Sequence, residues 1–142
     1  MIIPTSFFES QLVTDRYLTP KEAADISGIG DATLLVYVIR DVLGHNIERV
    51  GNHNRYKERH VLEAKGYRLK LIGRINMHKW HKSMEIPFRD ARVVANVPVN
   101  RLAAAFKALK VRPCKGGGFP QQRTYYCQDV YRVLKALREG EV

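Results

Sequence analysis

Two stretches of this chain repeat one another. At an offset of 68 positions, Leu18 falls on Ile86, Glu22 on Asp90, Ala23 on Ala91, Ile29 on Val97, Leu34 on Leu102 and Val38 on Phe106. One further residue of offset, 69, brings Tyr56 onto Tyr125 and Val61 onto Val130. A recurrence of this length means that one supersecondary unit is built twice. Residues 86–138 show its plan: two short helical patterns about a tight turn, a basic glycine-rich excursion, a tyrosine pair, and a third helical pattern. Each copy is therefore expected to fold as helix, turn, helix, wing, helix.

The second helical pattern of the second copy, residues 100–110, can be placed on a helical wheel. Leu102, Ala105, Phe106 and Leu109 share a side that can face a core, and Ala103, Ala104, Lys107 and Lys110 share the other. Two small residues and two lysines facing outward let a helix approach the floor of a nucleic-acid groove and neutralise phosphates beside it. Alone, the same pattern describes an ordinary amphipathic helix with a solvated lysine face. Its place in a duplicated unit, followed by a wing with Lys115, Gly116 to Gly118 and Arg123, favours the groove reading.

The first copy differs at that helix. Thr19-Pro20-Lys21-Glu22 spells a capping box, with Thr as N-cap, Pro at the first helical position and Glu three residues on. Gly28-Ile29-Gly30 supplies the turn, a second helix is expected from about Asp31 to Leu43, and Gly44 to Arg55 reads as a wing. A third helix should begin near Lys57 or Glu58. Leu35, Val36, Ile39 and Val42 occupy the places of Ala103, Ala104, Lys107 and Lys110, so the helix is apolar all round and should be buried. These four residues are assigned to a protein interface: the face could be buried within the chain, against the other copy or the linker, or in a homodimer, which is favoured. Residues 1–17, anchored by Phe7, Phe8, Leu12 and Val13, read as a docked arm. Between the copies, Val61, Leu62, Lys65, Leu69, Ile72 and Ile75 approach helical spacing. Gly66 and Gly73 interrupt it, and Tyr67, Leu69 and Leu71 could instead alternate on a strand.

Charge narrows the partner. Of 142 residues, 24 are Lys or Arg and 14 Asp or Glu, a formal charge of +10. Residues 1–48 hold three basic and seven acidic groups, residues 49–82 ten and two, and residues 83–142 eleven and five. Such an excess points to a polyanion, nucleic acid before a membrane surface. No apolar run is long enough to span a bilayer and the first residues lack the order of a signal peptide, so a cytoplasmic location is expected. Cys114 and Cys127 are expected as free thiols.

Chemistry of other kinds finds little support. Gly116-Gly117-Gly118 lacks the Lys-Ser/Thr that ends a phosphate-binding P-loop. Arg112 and Lys115 beside Cys114 could lower its pKa, but a cysteine at the root of a wing is read as structural. His78 and His81 lie one helical turn apart, yet no cysteine or carboxylate completes a ligand set, so exposed histidines beside a packed Trp80 are expected. No catalytic group, metal or other cofactor is expected.

Residues 18–43, with Glu22-Ala23-Ala24, Gly28-Ile29, Thr33-Leu34 and Tyr37, followed by Arg55-Tyr56, resemble the DNA-binding head of MerR-type regulators and related excisionase-like proteins. The second copy, with Lys115 and its glycines, Tyr125-Tyr126 and Asp129-Val130, is similar to the excisionase and phage terminase small-subunit style. Residues 17–72 and 86–138 carry the resemblance. One departure stands out: Leu35 and Val36 occupy places where MerR-type heads carry a basic and an aromatic residue. The resemblance implies a mainly α protein with small β wings, made of two tandem winged helix-turn-helix units. The expected boundaries are an arm at 1–17, units at 18–72 and 86–142, and a linker at 73–85. The expected function is sequence-specific binding of double-stranded DNA, as a transcription regulator or a phage or plasmid accessory factor. Arg101, Ala103, Ala104, Lys107, Lys110, Arg112, Lys115, Gly117 and Arg123 are the DNA-contacting candidates in the second unit; Arg49, His53, Asn54, Arg55 and Lys57 are those in the first. The alternatives are an adaptor that recruits a polymerase, recombinase or packaging partner, and a structured-RNA binder.

Overall fold

Thr19 begins the first helix by the bonds its sequence calls for. The Thr19 hydroxyl accepts from the Glu22 amide at 3.2 Å, and the Glu22 carboxylate accepts from the Thr19 amide at 3.1 Å. These bonds, to backbone before side chain, hold the Glu22 carboxyl below the usual carboxylate range. The computed structural model describes residues 16–116 and 118–142. The expected arm at 1–17 therefore lies almost wholly outside the described residues. Over the rest the chain is mainly helical with two small antiparallel sheets, and it divides into two compact units, Met1–Tyr67 and Arg68–Val142.

In the first unit, β1 (Tyr17–Leu18) leads into α1 (Pro20–Ser27), and Gly28 closes that helix at φ 76°. Helix α2 (Ala32–Val36) is capped by the Asp31 side chain and continues as a wider π-helical turn over Tyr37–Val42. The hairpin β2 (Glu48–Val50) and β3 (His53–Lys57) follows, with β3 central between β1 and β2. Helix α3 (Glu58–Met77) runs unbroken for 20 residues across the division at Tyr67. Gly66 and Gly73 are thus inside a helix and not at strand breaks, each weakening it by about 1 kcal/mol relative to alanine. The helix also takes up the first residues of the expected linker at 73–85.

The second unit has β4 (Glu85–Pro87), α4 (Phe88–Ala95), α5 (Val99–Ala108), a 3-10 turn (Pro120–Gln122), β5 (Thr124–Tyr126) and α6 (Cys127–Arg138). Phe106 stacks on Tyr125 with ring centroids 4.0 Å apart, and Phe88 packs at a tilt against both. With Ile86, Ala91, Leu102 and Val130 these rings are shut off from water.

The offset seen in sequence recurs in the hydrogen bonding. Leu18 pairs with Tyr56 on neighbouring strands, and Ile86 with Tyr125. The Glu58 amide donates to the Arg16 carbonyl at 2.7 Å, and the Cys127 amide to the Met84 carbonyl at 2.8 Å. Gly28 and Asn96 both end their helices in the left-handed region, each donating its amide back four residues.

The apolar face assigned to a protein interface needs correction. Leu35 and Ile39 are 2% and 1% exposed and belong to the core; Val36 is half-buried, and only Val42, at 37%, is open. Leu35, in the α-helical segment, and Ile39, four residues on, share a side, and the helix is buried on that side as well as on the side of Leu34 and Val38. The homodimer argument rested on that face and loses its footing.

Candidate nucleic-acid interface

Helix α5 carries Ala103, Ala104 and Lys107 beside the rings of Phe106 and Tyr125. Ala104 and Lys107 are exposed and Ala103 is half-buried. The chain then leaves the helix through a left-handed residue, Lys110, at φ 57°. The Lys110 amide donates to Lys107 and the Val111 amide to Phe106, which closes the helix end by the Schellman arrangement. Lys110 was expected on the outward face of the helix; it lies instead past the end at Ala108, where its backbone terminates the helix.

A loop returns beside this face. Its root is tied by an antiparallel bridge between Lys115 and Thr124, with the Thr124 amide donating to the Lys115 carbonyl at 2.9 Å. Arg123 is half-buried and donates from Nη2 to the Gly118 carbonyl at 3.0 Å across the loop. Ala103, Ala104, Lys107 and Arg123 line one shallow hollow, floored by Phe106 and Tyr125 and edged by Val111 and Pro113. Four of the nine candidates in this unit therefore meet in one place. Sequence reasoning missed the edge residues; Pro113, set between Arg112 and Cys114, was a signal that the chain turns there.

The remaining candidates are dispersed. Arg101 lines a different hollow, with Arg68, Ile72, Val97 and Arg138. Arg112 is exposed on the segment leaving the helix, and Gly117 lies outside the described residues. Lys115 pairs with Glu85 at 3.3 Å, the lysine side chain being 72% exposed, a contact of small energetic weight. No ion pair among the described residues holds Lys107.

Gly116 is more than a flexible tip. At φ 113°, a Cβ there would sit 2.4 Å from the Gln122 carbonyl oxygen and 2.6 Å from the Arg123 Cα. Nothing lies within 4 Å of the corresponding position at Gly118. Gly116→Ala should therefore cost about 1–3 kcal/mol in chemical unfolding, and Gly118→Ala less than about 0.5. Equal behaviour of the two variants would contradict this packing.

In the first unit, Arg49, His53 and Arg55 are exposed on the β2–β3 hairpin, with Asn54 and Lys57 half-buried. His53, Asn54 and Arg55 line a hollow with Tyr17, Pro20 and Val50. Here the cation is partly engaged: the Arg55 guanidinium lies 5.2 Å over the Tyr17 ring, and Glu48 faces Arg55 in the strand register. The Asn54 amide donates to the Tyr56 hydroxyl at 3.3 Å.

The division of the chain sharpens the charge reading. Residues 68–142 carry sixteen Lys and Arg against five Asp and Glu, a net of +11; residues 1–67 carry eight against nine, a net of −1. The basic excess of the whole chain belongs to the unit that carries α5.

Both cysteines are free. Burial, and next the Glu85 carboxylate, push the Cys114 thiol up, against any lowering by its basic neighbours. Trp80 is 71% exposed and not packed, with Lys79 5.3 Å over its ring, and His78 contacts the Ser83 hydroxyl at 3.2 Å. No helix among the described residues is long and apolar enough to cross a membrane. Comparison with protein-family models, curated proteins and solved structures returned no significant match.

Proposed function

We propose that each unit is a winged helix-turn-helix and that the second binds double-stranded DNA, with α5 in the major groove and the 115–124 loop as the wing. The observation that carries this reading is the meeting of Ala103, Ala104, Lys107 and Arg123 in one hollow of a unit with net charge +11. Small side chains let the helix backbone approach base edges, while Lys107 and Arg123 neutralise phosphates at the groove wall. The first unit, near neutral and with its helix face in the core, contributes phosphate contacts from its hairpin, chiefly Arg49 and His53. A transcription regulator or an accessory factor of a mobile element is the role that suits such a protein.

The nucleic-acid form separates this reading from RNA binding. The major groove of A-form RNA is too deep and narrow for a helix to enter. Titrations of the protein into labelled duplex DNA and into duplex RNA of the same sequence should show clear preference for DNA. Duplex affinity should also fall by about 0.9 log units per log unit of salt for each phosphate contact. Equal affinity for the two duplexes would reject the groove-reading role of α5. The adaptor reading depended on the apolar face of the first copy, of which Leu35 and Ile39 are buried.

A further inference from the structure

Away from that surface, the first unit gathers three metal-ligating side chains that its sequence keeps apart. Gly44 turns the chain at φ 75° after the π-helical turn, and the His45 amide donates to the Ile39 carbonyl at 3.0 Å. This fixes the backbone of His45 at the helix end. His60 and Glu63 stand three residues apart on α3, which puts them on one face, a turn from each other. The two imidazoles lie parallel, 4° between planes and 3.8 Å between centroids. His45 Nε2 is 2.6 Å from Glu63 Oε2, and one ligand atom from each of the three residues lies within 4.8 Å of the others.

We propose that His45, His60 and Glu63 bind a divalent transition-metal ion, Zn²⁺ by their donor set. Two imidazole nitrogens and one carboxylate oxygen are borderline ligands suited to that ion and poor ones for Mg²⁺ or Ca²⁺, which take oxygen. A simple histidine–glutamate pair accounts for His45 and Glu63. It gives no role to the second imidazole, 9% exposed and stacked on the first. A metal uses both rings. Tetrahedral coordination at about 2.0–2.2 Å sets donors roughly 3.3 Å apart, so the His45–Glu63 pair opens from 2.6 Å to admit the ion and the stacked rings tilt out of parallel. The means are present: the Glu63 side chain is 51% exposed and that of His45 30%, so both can move toward His60. The fourth position opens to solvent on the Glu63 side and takes water. Bound there, the ion staples the turn after α2 to the start of α3.

Isothermal titration of the tag-free, chelator-treated full chain with ZnCl₂ tests the site, with Co²⁺ as a spectroscopic substitute. The expected result is one equivalent bound, a visible tetrahedral Co²⁺ spectrum, and a raised melting temperature. Glu63→Gln keeps the shape of an exposed side chain, so its fold is safe; it should weaken binding at least about tenfold. His60→Ala should abolish the spectrum, and His78→Ala with His81→Ala should change nothing. Absence of stoichiometric binding would overturn the proposal. So would binding that survives in Glu63→Gln at undiminished affinity, or binding lost with His78 and His81.

Discussion

Ile39→Lys is expected to unfold the first unit. At 1% exposure the side chain is fully enclosed. A lysine there must bury an unpaired ammonium or push the π-helical turn out of the core, at a cost of about 4 kcal/mol or more. A unit of this size has little stability to lose, since a small core seldom supplies more than about 3–5 kcal/mol. Circular dichroism through a thermal scan should show lost helix at ambient temperature and a weakened transition. Val42→Lys is the matched control. It lies three residues on, at 37% exposure, and should stay within about 0.5 kcal/mol of the parent. Were Ile39→Lys as stable as Val42→Lys, the residue would be open to solvent and available to a partner after all.

This pair of variants also marks where the sequence can and cannot be read. Positions that face the core by simple periodicity were legible: Leu102 and Phe106, and their repeat equivalents Leu34 and Val38, are all buried. So was the Thr19 capping box, because its bonds are local and its chemistry is written in four consecutive residues. For Ile39 the burial was legible, because the helix is apolar all round, but what covers it was not: periodicity cannot tell a face buried within the chain from one buried against a second copy. Gly66 and Gly73 suggested a break, but α3 persists with Val61, Ala64, Leu71 and Ile75 buried along it, so packing offsets the glycine cost.

At the candidate interface the outward positions Ala103, Ala104 and Lys107 followed from spacing. That Arg123 would reach the same hollow did not, because a loop's return path depends on tertiary closure, here the bridge at Lys115 and Thr124. Lys110 was read as one more helical residue; a left-handed lysine leaves no trace in composition. The cluster of His45, His60 and Glu63 had only a faint signal, the three-residue spacing on α3. The third ligand arrives from 15 residues earlier.

The charge-reversed face of α5 gives the second large effect. Ala104→Glu with Lys107→Glu changes two exposed residues to a good helix former, so the second unit should keep its fold. On the proposed reading the pair would remove one phosphate contact, add two repulsive charges and fill the space a groove floor would occupy. At fixed physiological salt, duplex affinity should drop at least about 100-fold. Arg101→Glu, a charge change of −2 against −3 for the pair, controls for most of the added charge. It stands on the same helix but lines another hollow, and should weaken binding by no more than about threefold.

Fluorescence anisotropy of a labelled duplex, titrated in parallel with parent, Arg101→Glu and the double variant, is therefore the most direct measurement of whether α5 is the reading helix. The result predicted is tight, salt-dependent binding by the parent, near-parent binding by Arg101→Glu, and none detectable by the folded double variant. A folded double variant that binds the duplex within twofold of the parent would contradict it.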